Sequence, residues 1–148
     1  MRILSRLSVV LAASAVLALS LPAVGATTTS KIVLGAKAFA PNGAGFGTVK
    51  PKRIFNGGDP SGLVSNLTWT HWGAAKAIGT GKTSIFKPGG GYYPHLVRAQ
   101  LRASKLGHCR AHGPRAYTHL DVRVPAKPGA PLGKWQAWSG AKSICVGP

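Results

Sequence analysis

Glutamate is absent from this 148-residue sequence, and only two aspartates, Asp59 and Asp121, stand against 19 lysines and arginines. That shortage excludes most carboxylate chemistry. The usual glycosidase needs two neighbouring carboxyl groups, and Asp59, between Gly58 and Pro60, is better explained as a turn residue. Internal ion-pair networks are excluded for the same reason. Cysteine is scarce as well. Cys109 and Cys145 allow one pairing, which would close a loop of about 37 residues and stabilise by roughly 3–4 kcal/mol in the chain-entropy model. Helical apolar periodicity is missing outside the first 21 residues. Beyond them no apolar run reaches the roughly 20 residues that a spanning helix needs.

What is present begins with an export signal. Arg2 and Arg6 make a positive start, Leu7 to Leu21 is an apolar run, Pro22 breaks the helix, and Ala23-Val24-Gly25-Ala26 offers small residues to a peptidase. The expectation is a signal-peptide helix over residues 1–26, cleaved after Ala26 or, alternatively, Gly25. The mature chain would then be secreted, extracellular or wall-associated, with no membrane segment, and the two cysteines would be oxidised as is usual outside the cytosol. Without Arg2 and Arg6, 17 basic residues face two acids, a formal charge of +15. Charge of one sign on this scale is either hydrated for solubility or met by an external anion.

The 20 glycines and 11 prolines punctuate the chain into short β-rich segments. Lys31 to Phe39 and residues 48–56 read as weak strands around a Gly-rich loop, so residues 27–58 are expected to be a partly ordered extension. Gly57 to Gly62 is a strong turn, and the β domain is expected to run over 59–148. Leu63 to Trp72 alternates, with Leu67, Trp69 and His71 on one face and Thr68, Thr70 and Trp72 on the other. Ala75, Ala77, Gly79 and Gly81 line one face of a return strand with small residues, and the ring of Trp69 or Trp72 is expected to lie across it. Val97, Ala99, Leu101 and Ala103 face inward, with Arg98, Gln100 and Arg102 outward. Leu120, Val122 and Val124 face inward, with His119, Asp121 and Arg123 outward. Residues 125–133 read as a linker and Trp135 to Val146 as the closing strand or strands. The fold expected is all-β, a small antiparallel sandwich or barrel of six to seven strands with one disulfide.

At Leu67-Thr68-Trp69-Thr70-His71-Trp72-Gly73, followed by Ala77-Ile78-Gly79-Thr80-Gly81, the chain resembles a loose group of small secreted actinobacterial proteins. They show a Trp-x-x-Trp-Gly core, an Ala-x-Gly-x-Gly stretch and a Tyr-bearing strand like Tyr117 to Val124. The resemblance spans roughly residues 60–125. It implies a compact β fold and a Gram-positive host, and it carries over no functional residue.

Several motifs bear on chemistry. Gly79-Thr80-Gly81-Lys82-Thr83 has the end of a phosphate-binding loop, but Lys76 stands where the first Gly is required. His108-Cys109-x-x-His112 looks like half a zinc site, but a disulfide to Cys145 would consume the thiolate, so no metal and no cofactor is assigned. His119 and Asp121, at i and i+2, would be too far apart for a direct hydrogen bond in a regular strand. No catalytic residue is assigned. Trp135 and Trp138, three apart, would fall on opposite faces of a strand, so at most one is core.

Three readings remain open. The leading one is a non-enzymatic basic protein that associates with an anionic partner, a wall polymer, nucleic acid or acidic polysaccharide, through Arg98, Arg102 and Arg123 with Lys134 and Trp135. The second is a secreted ribonuclease or toxin that uses a His pair as acid and base. The third is a structural envelope domain whose charge serves solubility.

Overall fold

A computed structural model of the protein describes residues 31–147. The expected signal segment and its cleavage site lie outside the described residues. Seven strands form one curled, half-barrel sheet: β1 Val33–Leu34, β2 Ile54–Phe55, β3 Leu63–Thr70, β4 Lys76–Thr83, β5 Val97–His108, β6 Arg115–Arg123 and β7 Gln136–Ala137. Their order across the sheet is β1-β6-β5-β4-β3-β2, with β7 paired to β6. All pairs are antiparallel except β1 with β6. The fold is therefore all-β, with three short 3-10 turns and no α-helix among the described residues.

The central ladders follow from alternation. Ala77, Gly79, Gly81 and Thr83 of β4 and Val97, Ala99, Leu101 and Ala103 of β5 are all buried, opposite one another in register. Leu120 of β6 continues this face. The small residues of β4 leave room that Trp69 fills: a Cβ on Gly79 would lie 3.0 Å from its ring. Trp72 is not in the strand. The strand ends at Thr70, His71 takes a left-handed φ of 56°, and this turns Trp72 back edge-on to Trp69 at 4.9 Å and to Tyr117 at 5.2 Å. The expected division of His71 and Trp72 between two strand faces is thus replaced by a turn. Before β3, Asp59 caps the 3-10 turn Pro60–Gly62 by accepting from the Ser61 N–H at 2.9 Å.

Residues 31–58 share this core. Leu34, Phe39, Phe46 and Ile54 are buried with Val64, Leu67 and Tyr117. Strand structure there is confined to β1 and β2, because Lys37–Phe39 closes into a 3-10 turn. Both indoles of the hairpin hold this segment: Trp69 Nε1 donates to the Pro51 carbonyl at 2.9 Å and Trp72 Nε1 to that of Ile32 at 3.1 Å.

The C-terminal segment differs from expectation. Only Gln136–Ala137 pairs, and Trp138–Gly140 is a 3-10 turn with Ser139 at φ 52°. The left-handed residue takes the chain off the ladder. Beyond it the segment is fixed by Ile144 N–H donating to Thr118 O, by Ala36 N–H donating to Ile144 O, and by the Cys109–Cys145 disulfide.

Candidate functional site

The outward faces of β4, β5 and β6 set charged side chains in register. Lys82 stands opposite Arg98, Arg102 opposite Asp121, and Gln100 opposite Arg123. Alternation makes this possible, because the residues between them turn beneath the sheet, Ala99 and Leu101 buried and Val122 partly so. From this grid two different arrangements arise.

The first is a closed cluster. Arg102 donates Nε and Nη2 to one oxygen of Asp121 at 3.0 and 2.8 Å. The other oxygen lies 3.0 Å from His119 Nε2. Arg123 donates Nε and Nη2 to the Gln100 amide oxygen. Because Gln136 pairs with Val122, Trp135 is carried over the neighbouring arginines. The guanidinium carbons of Arg102 and Arg123 lie 4.6 and 4.5 Å from its ring centre. Asp121 is 8 % exposed under this cover, so its charge requires the Arg102 partner. The arrangement overturns one expectation: His119 and Asp121 do bond. Their Cα atoms sit a full strand repeat apart, but the imidazole and the carboxyl lean along the strand and close the gap. Nδ1 of the same ring lies 3.2 Å from the Lys142 carbonyl. Each ring nitrogen therefore faces an acceptor, and neither is left open to a substrate. The cluster ties β5, β6, β7 and the C-terminal segment together.

The second arrangement is open. Lys82 and Arg98 are both exposed, both on the outward face, and among the described residues neither meets a carboxylate. Of the five side chains singled out for anion contact, Arg102, Arg123 and Trp135 come together, with Arg102 already paired. Arg98 stands apart with Lys82, which sequence reading missed because strand register is needed to see it. Lys134 is exposed beside Trp135 and bonds nothing among the described residues.

The remaining motifs find structural roles. Gly79 to Thr83 lies inside β4 and forms no loop. Cys109 is bonded to Cys145, and His108 Nδ1 lies 3.0 Å from the Gly113 carbonyl. Trp138 is core, as the three-residue spacing from Trp135 requires of at most one of the two.

No protein-family model, curated protein or solved structure matches this chain.

What the face can do follows from its residues. It offers an aromatic plane backed by two guanidiniums and, further along the same face, the Lys82–Arg98 pair. Guanidiniums, an ammonium and an aromatic face are the groups that pair with anions by charge and stacking.

Proposed function

We propose that the protein is a secreted, non-enzymatic basic domain that associates with an anionic polymer through the outward face of β4, β5 and β6. The observation that carries this reading is the cross-strand pair Lys82–Arg98. Like charges directly opposite on a sheet destabilise it by roughly 0.2–1 kcal/mol. Here no acid relieves them: of the 17 lysines and arginines among residues 31–147, only Arg102 meets a carboxylate. A phosphate, sulfate or carboxylate of a polymer placed between the two heads turns repulsion into two attractions and releases counterions. Arg123, Trp135 and Lys134 extend the contact along the same face. The disulfide fits an oxidising compartment outside the cytosol.

The test is retention on purified Gram-positive wall, single-stranded nucleic acid and heparin, each eluted with salt. The reading expects retention on one matrix to persist well above physiological salt. On that matrix Lys82→Gln with Arg98→Gln should reduce the slope of log affinity against log salt by about one to two units. An unchanged slope removes the face from the contact. Equal retention on all three matrices, lost near physiological salt, means the charge serves solvation alone.

A further inference from the structure

One concavity of the molecule has chemistry opposite to its surface. Between the 3-10 turn at Pro60–Gly62, the end of β4 and the approach to β7 lies a cavity of about 470 Å³, inside the range of small-ligand sites, about 300–1,000 Å³. In a chain this basic, no Lys, Arg or His lines it, and its one charged wall residue is Asp59. The Ser61 hydroxyl beside Asp59 holds that carboxyl below the usual carboxylate range. The wall therefore repels the anions that the rest of the surface attracts.

Three features of the wall point to a ligand. Phe86 is 56 % exposed on the rim and stacks on Tyr92 at 4.4 Å, with 28° between the rings. A large apolar ring held flat and open is a platform for the C–H face of another ring. Among the described residues the Gln136 amide bonds nothing, and the Ser139 hydroxyl only accepts, from Asn56. These leave both donors and acceptors facing the space. Finally, Trp138 lines the same cavity at 3 % exposure, and its indole Nε1 is buried with no acceptor. The partly buried indoles of Trp69 and Trp72 each have a carbonyl partner. A buried N–H without a partner is costly in any native structure, and an acceptor in the cavity reaches this one only once the wall beside it shifts.

We propose that this cavity binds an uncharged saccharide, with one sugar ring on Phe86, its hydroxyls on Gln136 and Ser139, and a ligand oxygen accepting the Trp138 N–H. Hydroxyls and amides pair with such a ligand, the platform takes its apolar face, and its neutrality suits the wall beside Asp59. The nitrogen has no access to solvent, so a shift of the wall accompanies the contact. The proposal does not rest on the polyanion reading, since the two sites use opposite chemistry on different parts of the molecule.

The test is a titration of the oxidised, isotope-labelled protein followed by NMR. The probes are cellotriose, triacetylchitotriose and a heparin-derived disaccharide. Either neutral trisaccharide should move the Trp138 indole N–H and the Gln136 side-chain amide together and saturably, and Phe86→Ala should weaken that binding about tenfold or more. Phe86 is on the rim, so outside Tyr92 and its immediate neighbours the variant's spectrum overlays the parent's. The heparin fragment should leave the Trp138 signal in place. No movement with either neutral sugar, movement with the acidic sugar alone, or undiminished binding by Phe86→Ala each overturns the proposal.

Discussion

Tyr117 shows how much one side chain fixes. Its ring is fully buried. Its hydroxyl donates to the Ala74 carbonyl at 2.7 Å and accepts from the Gly73 N–H at 2.8 Å, closing the β3–β4 turn from a distant strand. Tyr117→Phe leaves both turn groups without this partner and should destabilise by about 1–3 kcal/mol, read from denaturant unfolding. Burial pushes the phenol up, and the Gly73 N–H and the Arg115 charge oppose it. The folded-state value therefore lies above the unfolded one. Its stabilising contribution is complete below the ordinary phenol range near 10 and is lost as pH climbs through it. Tyr117→Phe should flatten that alkaline loss of stability, and an unchanged alkaline profile assigns the loss to other groups. At this scale the sequence was partly legible. The outward positions of His119 and Asp121 followed from alternation, but their bond did not, because spacing along a strand measures Cα positions and ignores the reach of an imidazole. Trp135 was legible as a surface aromatic, yet its two arginine neighbours depend on where β7 pairs.

Among the elements, the β3–β4 hairpin was the most readable. Its period-two small residues demanded a ring above them, and Trp69 supplies it. The contact predicts a coupling. Gly79→Ala puts a Cβ 3.0–3.1 Å from three Trp69 ring atoms and should destabilise by about 1–3 kcal/mol. In a Trp69→Ala background the same substitution should have a smaller effect, and equal effects in both backgrounds would show that the ring is not what excludes the methyl. The C-terminal segment was the least readable. Residues 135–146 have a strand's composition, but Ser139 turns left-handed, and a non-glycine residue in that region leaves no mark on composition. Likewise, the Gly-rich stretch 42–47 reads as loop, and it is loop. Its turns at Gly45 and Gly47, both at positive φ, bring Phe46 into the core against Phe39 at 4.8 Å. Low strand propensity there gave no sign of that burial.

At the scale of the whole molecule, the disulfide and the charge pull in opposite directions. Cys109 follows directly on β5, and Cys145 belongs to a segment held by few ladder bonds. Closing 36 residues of separation restrains the unfolded chain by about 3–4 kcal/mol. Reduction should therefore lower stability by that order. The loss should deepen at low ionic strength, where the repulsion among the 17 basic residues of 31–147, set against two acids, is least screened. Thermal unfolding with and without reductant at two salt concentrations checks both statements, and a reductive loss independent of salt would separate the two effects. Composition made the all-β class and the disulfide legible. It could not show that the sheet has one short parallel pair at its edge.

That parallel pair governs the order in which the molecule can be built. Val33 meets Ala116 and Leu34 meets Tyr117, so the first strand to leave a ribosome or a translocation pore waits for one of the last. Until β6 emerges, Leu34 has no ladder and Tyr117 cannot close the β3–β4 turn. Contacts so distant in sequence slow folding. A chain emerging from its N-terminus would thus hold its first strand unpaired until β6 was out, while the β3, β4 and β5 ladders, local in sequence, need not wait.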